Sequence, residues 1–480
     1  MLFDDLKAII ERNFALNPTS EQYKVISRFA EFCFSPYANN LFLLKGYAGT
    51  GKTTLVGAIV KTLVELKQRV VLLAPTGRAA KVFALHAGMP AFTIHRRIYR
   101  ENTMGGEFSL NPPQFNKRVW FIVDEASMIS NEGLSGSMFG SGRLLDDLLR
   151  FVYEGEQCRL IMVGDSAQLP PVGEELSPAL DAARLQGYGL QVTDTEMTDV
   201  VRQSHDSGIL WNATYIRNLI LSGTTMLFPQ LAVSGFTDIE VVSGNELIER
   251  LEDSYYRVGQ DGTIVVTRSN KRANIFNQGI RARILGYEEE LSSGDQVIVV
   301  KNNYKYTTDK VDEDKSKPAK SSTFIANGDM AVVRRFRNER SLYGFRFADA
   351  TLRFPDFDDA EVDCTILLDT LTAEAPALTK EQQDALFNAV WEDYPDITNK
   401  VERMKRLRED AYYNALQIKY AYSVTCHKAQ GGQWEHVYVD QGYVTEDMLT
   451  PDYFRWLYTA LTRATQKVFL VNWPKEQIKN

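Results

Sequence analysis

Cysteine is scarce and scattered in this chain. Cys33, Cys158, Cys364 and Cys426 are its whole complement in 480 residues, and no two form a CxxC pair. That spacing argues against a disulfide framework, a zinc site or an iron–sulfur cluster. The five histidines (His86, His95, His205, His427 and His436) show no ligand spacing either, so no structural metal is expected. No apolar run approaches the roughly 18 residues of a membrane span. The opening stretch MLFDDLKAIIERNF lacks the basic, apolar, small-residue order of a signal peptide. A cytoplasmic protein without a membrane partner is the simplest reading. An excess of positive charge is missing too: the net charge is −8. That speaks against a protein that coats nucleic acid with its whole surface, but not against a local basic groove. One basic cluster exists, Arg78, Lys81, Arg96, Arg97 and Arg100, and by itself it reads as a solvated face.

What is present is an α/β pattern. Hydrophobic residues at 44% and charged residues at 24% suit a soluble globular chain, and the length calls for several domains. Leu41 to Leu44, Arg69 to Ala74, Val119 to Val123 and Arg159 to Val163 are nearly continuously apolar, as strands of a parallel sheet covered on both faces should be. Between them, Leu55, Val56, Ile59, Val60 and Leu63 form a helical stripe over Thr53 to Leu66. The pattern recurs at Thr263 to Thr267, His436 to Val439 and Lys467 to Asn472, which predicts a second sheet. Within that second half, Gln296 to Val300, Met330 to Arg334 and Cys364 to Leu368 read as short strands of a β-rich insert. Asn302 to Ser322 reads as a long loop, and Lys380 to Ala421 as a helical arm broken near Pro395.

Gly46-Tyr-Ala-Gly-Thr-Gly-Lys52-Thr53 fits G-x-x-x-x-G-K-[ST], with a strand before it and a helix after it. Backbone N–H groups of such a loop curl round phosphate oxygens at a helix N-terminus. Gly46, Gly49, Thr50, Gly51, Lys52, Thr53 and Thr54 are therefore the expected nucleotide-binding set. Lys52 would pair the β- and γ-phosphates, and Thr53 would ligate Mg2+. Asp124 and Glu125 end an apolar strand, where ligands of such sheets bind. Asp124 is placed to hold Mg2+ through water and Glu125 to polarise the attacking water. Gln168, in the Gly164-to-Pro171 turn after the next strand, is placed to read the γ-phosphate.

Taken in order, these segments resemble superfamily 1 helicases, in the 5′-to-3′ branch that includes RecD and phage Dda. The resemblance covers most of the chain. It implies that Gln22, in Asn17-Pro-Thr-Ser-Glu-Gln22, reads adenine, and that Arg202 and Arg463 reach the nucleotide as arginine fingers. It implies a nucleic-acid track formed by Pro75, Thr76, Gly77, Arg78 and His95 from the first domain. Thr267, Arg268, Asn270, Thr425, His427 and Lys428 would continue that track from the second. One departure stands out: Gln433 occupies a position, two after Gly431, where the family often carries an acidic residue near the ribose. Val297 to Tyr304 and Asn327-Gly328-Asp329 resemble the SH3-like insert of this branch. A strand-separating pin would lie between His95 and Lys117, with Phe108 or the Pro112–Pro113 pair at its tip; an ordinary polar hairpin fits those residues nearly as well.

The expected architecture is two RecA-like parallel-sheet P-loop domains. Domain 1A would cover 1–95 and 118–192, with a hairpin insert 1B at 96–117. Domain 2A would cover 193–290 and 415–480, with an SH3-like β insert and helical arm 2B at 291–414. The expected function is an ATP- and Mg2+-dependent DNA helicase, monomeric, acting on single-stranded DNA and on single-strand/duplex junctions. An RNA helicase of the same superfamily and a nucleotide-gated nucleic-acid-binding protein remain the alternatives.

Overall fold

The computed structural model describes residues 3–14, 16–101, 108–112, 116–133, 139–201, 206–303, 305–306 and 324–479. A six-stranded parallel sheet occupies the first part, in the order Ala91–Thr93, Arg69–Ala74, Val119–Val123, Arg159–Gly164, Asn40–Gly46, Gln191–Met197. The strand Val119–Val123 is buried along its whole length because helices cover both faces. One of them, Lys52–Glu65, buries Leu55 to Val60 without a gap, so it sits in the core rather than on it. The helix Ser20–Phe34 starts at a capping box in which Thr19 and Gln22 each satisfy the other's backbone N–H.

The second sheet is also parallel: Ile239–Val242, Ala464–Val471, Trp434–Asp440, Thr263–Thr267, Ser423–Thr425. A closed five-stranded barrel intervenes in the chain, made of Gln296–Val299, Met330–Leu342, Phe345–Phe354, Ala360–Leu367 and Leu416–Tyr420. The arm that leaves the barrel is two helices, Lys380–Glu392 and Lys400–Glu409, packed on it through Leu386, Val390 and Leu407.

Two differences from the expected boundaries follow from pairing. The strand Gln191–Met197 lies along Asn40–Gly46, so 193–197 complete the first sheet instead of opening the second. Leu416–Tyr420 joins the barrel, where the sequence suggested the helical arm and then the second domain. Its apolar residues Leu416, Ile418 and Tyr420 recur with period two, which is strand spacing. The expected loop at 302–322 lies mostly outside the described residues.

Candidate nucleotide and nucleic-acid site

The strand Asn40–Gly46 ends at the phosphate loop, which turns on Gly49 (φ 79) and Gly51 (φ 84) before the helix Lys52–Glu65 begins. Both values are in the left-handed region that favours glycine. A Cβ on Gly51 would also lie 2.6 Å from the Gln22 amide nitrogen. Gln22 is buried with both ends of its amide engaged: Nε2 donates to the Thr50 carbonyl at 3.1 Å, and Oε1 accepts from Thr19 N–H at 2.9 Å. It supports the loop from below. Thr50 is fully buried, its hydroxyl donating to the Tyr47 carbonyl at 2.8 Å. Lys52 Nζ donates to the carbonyls of Gly46 at 2.6 Å and Tyr47 at 2.8 Å, and stands 3.9 Å from Asp165 Oδ2. A Cβ on Gly46 would strike the Lys52 stem at 2.9 Å, so this glycine makes room for the lysine to fold back.

Lys52, Thr53, Thr54, Asp124, Glu125, Gln168 and Arg463 all line one cavity of about 780 Å3 between the two sheets. Asp124 accepts the Glu125 N–H at 2.9 Å, and its carboxyl is pushed up to about 7, first by burial and then by the neighbouring Glu125 charge. Two crowded carboxylates facing a lysine and a threonine hydroxyl suit a hard divalent cation with oxygen ligands. The residues therefore fit Mg2+. Glu125 holds φ 51, a strained value for a side-chain-bearing residue. Gln168 lines the same cavity; it is buried, and its Oε1 has no hydrogen-bond partner.

Arg463 reaches this cavity from the second sheet. It is 3% exposed, with Nε on the Thr459 carbonyl at 3.1 Å and Nη1 on the Gly432 carbonyl at 3.2 Å. Carbonyl partners hold the guanidinium in place and leave its charge unneutralised by them. Gln433, at the position of the departure noted above, lines the same cavity. Arg202 lies outside the described residues.

The expected nucleic-acid residues divide into two groups. Arg268, Asn270, Thr425, His427 and Lys428 line a second cavity of about 460 Å3, between the ends of the second sheet and the barrel. Arg268 stacks over Tyr453 and Trp456 at its edge. Lys419, from the barrel strand, joins the same wall; burial brings its ammonium down to about 8. Thr267 does not reach the cavity. It is fully buried, and its hydroxyl donates to the Ser269 carbonyl at 3.1 Å.

The first-sheet group is occupied by internal contacts. Thr76 caps the helix Gly77–Ala87 by accepting the Ala79 N–H at 3.2 Å. Pro75 is half-buried just before it, and Gly77 is buried beneath Phe357 and Asp329 of the barrel. Arg78 stacks on Trp434 of the second sheet at 4.1 Å and donates to the Gln433 carbonyl at 3.0 Å. Lys81 donates to the Pro355 carbonyl at 2.8 Å, and Arg96 lies over the Phe357 ring at 5.5 Å. Three members of the basic cluster thus have internal partners, Arg78 on the second sheet and Lys81 and Arg96 on the segment between two barrel strands, while Lys81 and Arg100 stay exposed. His95 is half-buried among Tyr99, Phe139 and Phe324, and burial brings its imidazole down to about 4.

The hairpin of Tyr99–Glu101 and Phe108–Leu110 exists, but Phe108 is 3% exposed, packed on Phe139 at 4.7 Å. An exposed wedge at its tip is therefore not Phe108; Pro112 is half-buried beyond the strand, and Pro113 lies outside the described residues.

Sequence reasoning missed a set of contacts across the cleft. Leu169 N–H donates to Thr459 Oγ1 at 2.9 Å, Gln430 Nε2 donates to the Leu169 carbonyl at 2.7 Å, and Arg455 donates to the Ser166 carbonyl. Tyr458 adds a fourth link. All four side chains lie within a few residues of Lys428 or Arg463, but a hydroxyl in a largely apolar helix looks like packing until its partner is known.

The chain is similar to several known proteins. An AAA domain profile matches residues 19–218, and a UvrD-like helicase C-terminal domain profile matches residues 420–471. The ATP-dependent RecD2 DNA helicase of Deinococcus radiodurans is 25% identical over 94% of this chain and 48% of its own length. The ATP-dependent DNA helicase dda of Enterobacteria phage T4 is 26% identical over 60% of this chain and 62% of its own. A crystal structure of Pif1 helicase from Bacteroides, in complex with ADP-AlF3 and ssDNA, aligns over 97% of this chain and 95% of that one, at 16% identity and a TM-score of 0.45. The chain spans less than half the length of two of its curated relatives, 39% of an uncharacterised protein of Methanocaldococcus jannaschii and 48% of RecD2.

The class is a P-loop NTPase with two parallel sheets about one nucleotide cleft. More narrowly, the matched segments are similar to an AAA domain, to a UvrD-like helicase C-terminal domain and to the DNA helicases RecD2 and dda. Among the described residues no helix is long and apolar enough to cross a membrane, and no cluster of side chains has metal-ligand geometry of its own.

Proposed function

We propose that this chain is an ATP-dependent DNA helicase that moves 5′ to 3′ on single-stranded DNA and opens the duplex ahead of it. The observation that carries the reading is the shared cavity, in which Lys52, Asp124, Glu125 and Gln168 of the first sheet meet Arg463 of the second. A nucleotide bound there touches both sheets, so its arrival and loss change their separation. Bound Mg2+, held by Thr53 and Asp124, would neutralise phosphate charge. Lys52 exchanges its loop carbonyls for phosphate oxygens, Glu125 orients and polarises the attacking water, and Gln168 turns its unpaired oxygen or its amide to what lies beside it. Arg463, and Arg202 with it, stabilise charge on the transferred group from across the cleft.

Arg268, Asn270, Thr425, His427 and Lys428 form the strand-holding wall of the second sheet. Thr76, Arg78 and His95 act from the first sheet mainly by shaping the interface, since Thr76 and Arg78 already have internal hydrogen-bond partners and His95 packs among aromatic rings. The division into 1A, 1B, 2A and 2B is proposed with the boundaries moved to 197 and 421, where strand pairing ends. DNA is preferred to RNA because RecD2 and dda are both DNA helicases by name.

The test is ATP hydrolysis and strand displacement by the full chain on duplexes carrying one single-stranded tail at either end. Unwinding only of the 5′-tailed substrate, and loss of at least about 100-fold in stimulated hydrolysis for Lys52→Ala, are the expected results. Stimulation retained by Lys52→Ala would sink the assignment of the site. Unwinding only from 3′ tails would reverse the polarity, and stronger stimulation by matched RNA would favour the RNA alternative.

A further inference from the structure

One phenol hydroxyl joins three parts of the molecule. Tyr458 lies on the helix Pro451–Leu461 of the second sheet and is almost completely buried. Its oxygen accepts the N–H of Ala48, inside the phosphate loop, at 2.8 Å. Its own O–H donates to Asp165 Oδ2 at 2.7 Å. A phenol has one proton to give, and here the carboxylate takes it while a lone pair takes the loop N–H. Both roles are filled, so the ring is fixed in one orientation. Asp165 is itself buried, its other oxygen accepting the Ala167 N–H at 3.0 Å, and its Oδ2 faces Lys52 at 3.9 Å.

We infer that Tyr458 is a positioning residue that couples the second sheet to the phosphate loop, setting hydrolysis according to where that sheet stands. The inference rests on the motor reading given above. Its physical basis is that the Asp165 carboxylate is buried, and the Ala48 N–H half-buried, so the carboxylate cannot be abandoned to water when the helix Pro451–Leu461 moves. A shift of the helix must carry the loop and the Gly164-to-Pro171 turn with it, or break a charge-assisted bond. The turn that carries Gln168 is additionally tied to the same helix through Thr459 and Arg455, so it moves as one with Tyr458. Signals from a bound strand, which touches the second sheet at Arg268 and Thr425, then reach Lys52 through Tyr458 and Asp165.

Tyr458→Phe keeps the ring and removes only the bridging oxygen. The test measures ATP hydrolysis by the full chain with and without a single-stranded oligodeoxynucleotide, together with its thermal unfolding midpoint. The expected result is a fall of about tenfold or more in the strand-stimulated kcat, the scale of one lost hydrogen bond to a charged group. The KM for ATP should stay within about threefold, because the loop's phosphate-binding groups remain. A variant stimulated as well as wild type overturns the inference. So does an equal loss of basal and stimulated rates with a KM rise, which marks a merely structural role.

Hydrogen exchange in the wild-type chain gives a reading independent of the variant. A non-hydrolysable ATP analogue should change peptides covering 44–53, 164–171 and 453–461 together, and a change confined to the first would also overturn the inference. Wild-type hydrolysis indifferent to any nucleic acid would overturn the motor reading, and this one with it.

Discussion

At Glu125 the backbone adopts φ 51, where a Cβ costs about 1–2 kcal/mol relative to glycine. The strain aims the carboxylate into the cleft beside Asp124. Glu125→Gly should therefore leave the unfolding midpoint unchanged or raise it, while hydrolysis falls by at least about 100-fold. Calorimetry with an ATPase assay checks both halves. Gly431 shows the opposite constraint. Its φ is 72, and a Cβ there would stand 2.9 Å from Ala79 Cβ on the other side of the cleft. Gly431→Ala should hold the two sheets apart, lowering stimulated kcat about tenfold or more while nucleotide binding persists; unchanged kcat would show that the cleft does not need this contact.

His95 offers a pH signature. Its imidazole titrates near 4 in the fold against 6.5 when free, so the folded chain binds fewer protons than the unfolded one. Stability from this site is present above about 6.5 and is lost as pH falls towards 4. The unfolding midpoint of His95→Phe should depend less on pH across that window than the wild type's.

The elements are joined by two kinds of weld. Arg281 and Asp295 form a buried bidentate pair, 2.8 and 2.9 Å, between the helix Asn270–Arg283 and the start of the barrel, with Tyr422 hydroxyl on the same carboxylate. Removing one partner strands the other, so Arg281→Ala should cost about 3–5 kcal/mol. Lys117→Ala, which breaks the exposed Lys117–Glu156 pair, should cost less than about 1 kcal/mol. Urea unfolding of the two variants measures the contrast. The other weld is aromatic: Phe324, next to the barrel, packs against His95, Phe108 and Phe139 beside the first sheet.

Which elements the sequence revealed follows from their contacts. Val119–Val123 was legible because burial on both faces demands an unbroken apolar run. The strand Gln191–Met197 was not, because its residues Gln191, Asp194 and Glu196 sit at a sheet edge where polar side chains find partners such as Lys45 and Tyr47. The phosphate loop was fully readable, since its glycines answer to backbone geometry alone. Tyr458 and the occupied state of Arg78 were not, since each depends on residues hundreds of positions away.

On the scale of the whole molecule, the second sheet has an order that matters beyond its shape. Its two strands that precede the barrel, Ile239–Val242 and Thr263–Thr267, do not pair with each other. Each finds its neighbours only in Ser423–Thr425, Trp434–Asp440 and Ala464–Val471. At about 5–20 residues per second, a ribosome spends roughly 8–30 seconds on the intervening stretch. Throughout that interval the first sheet can close while two apolar strands wait with bare edges, the situation in which nascent chains recruit chaperones or one another. The position of the barrel thus makes synthesis of residues 423–471 the step that commits the second sheet to its fold.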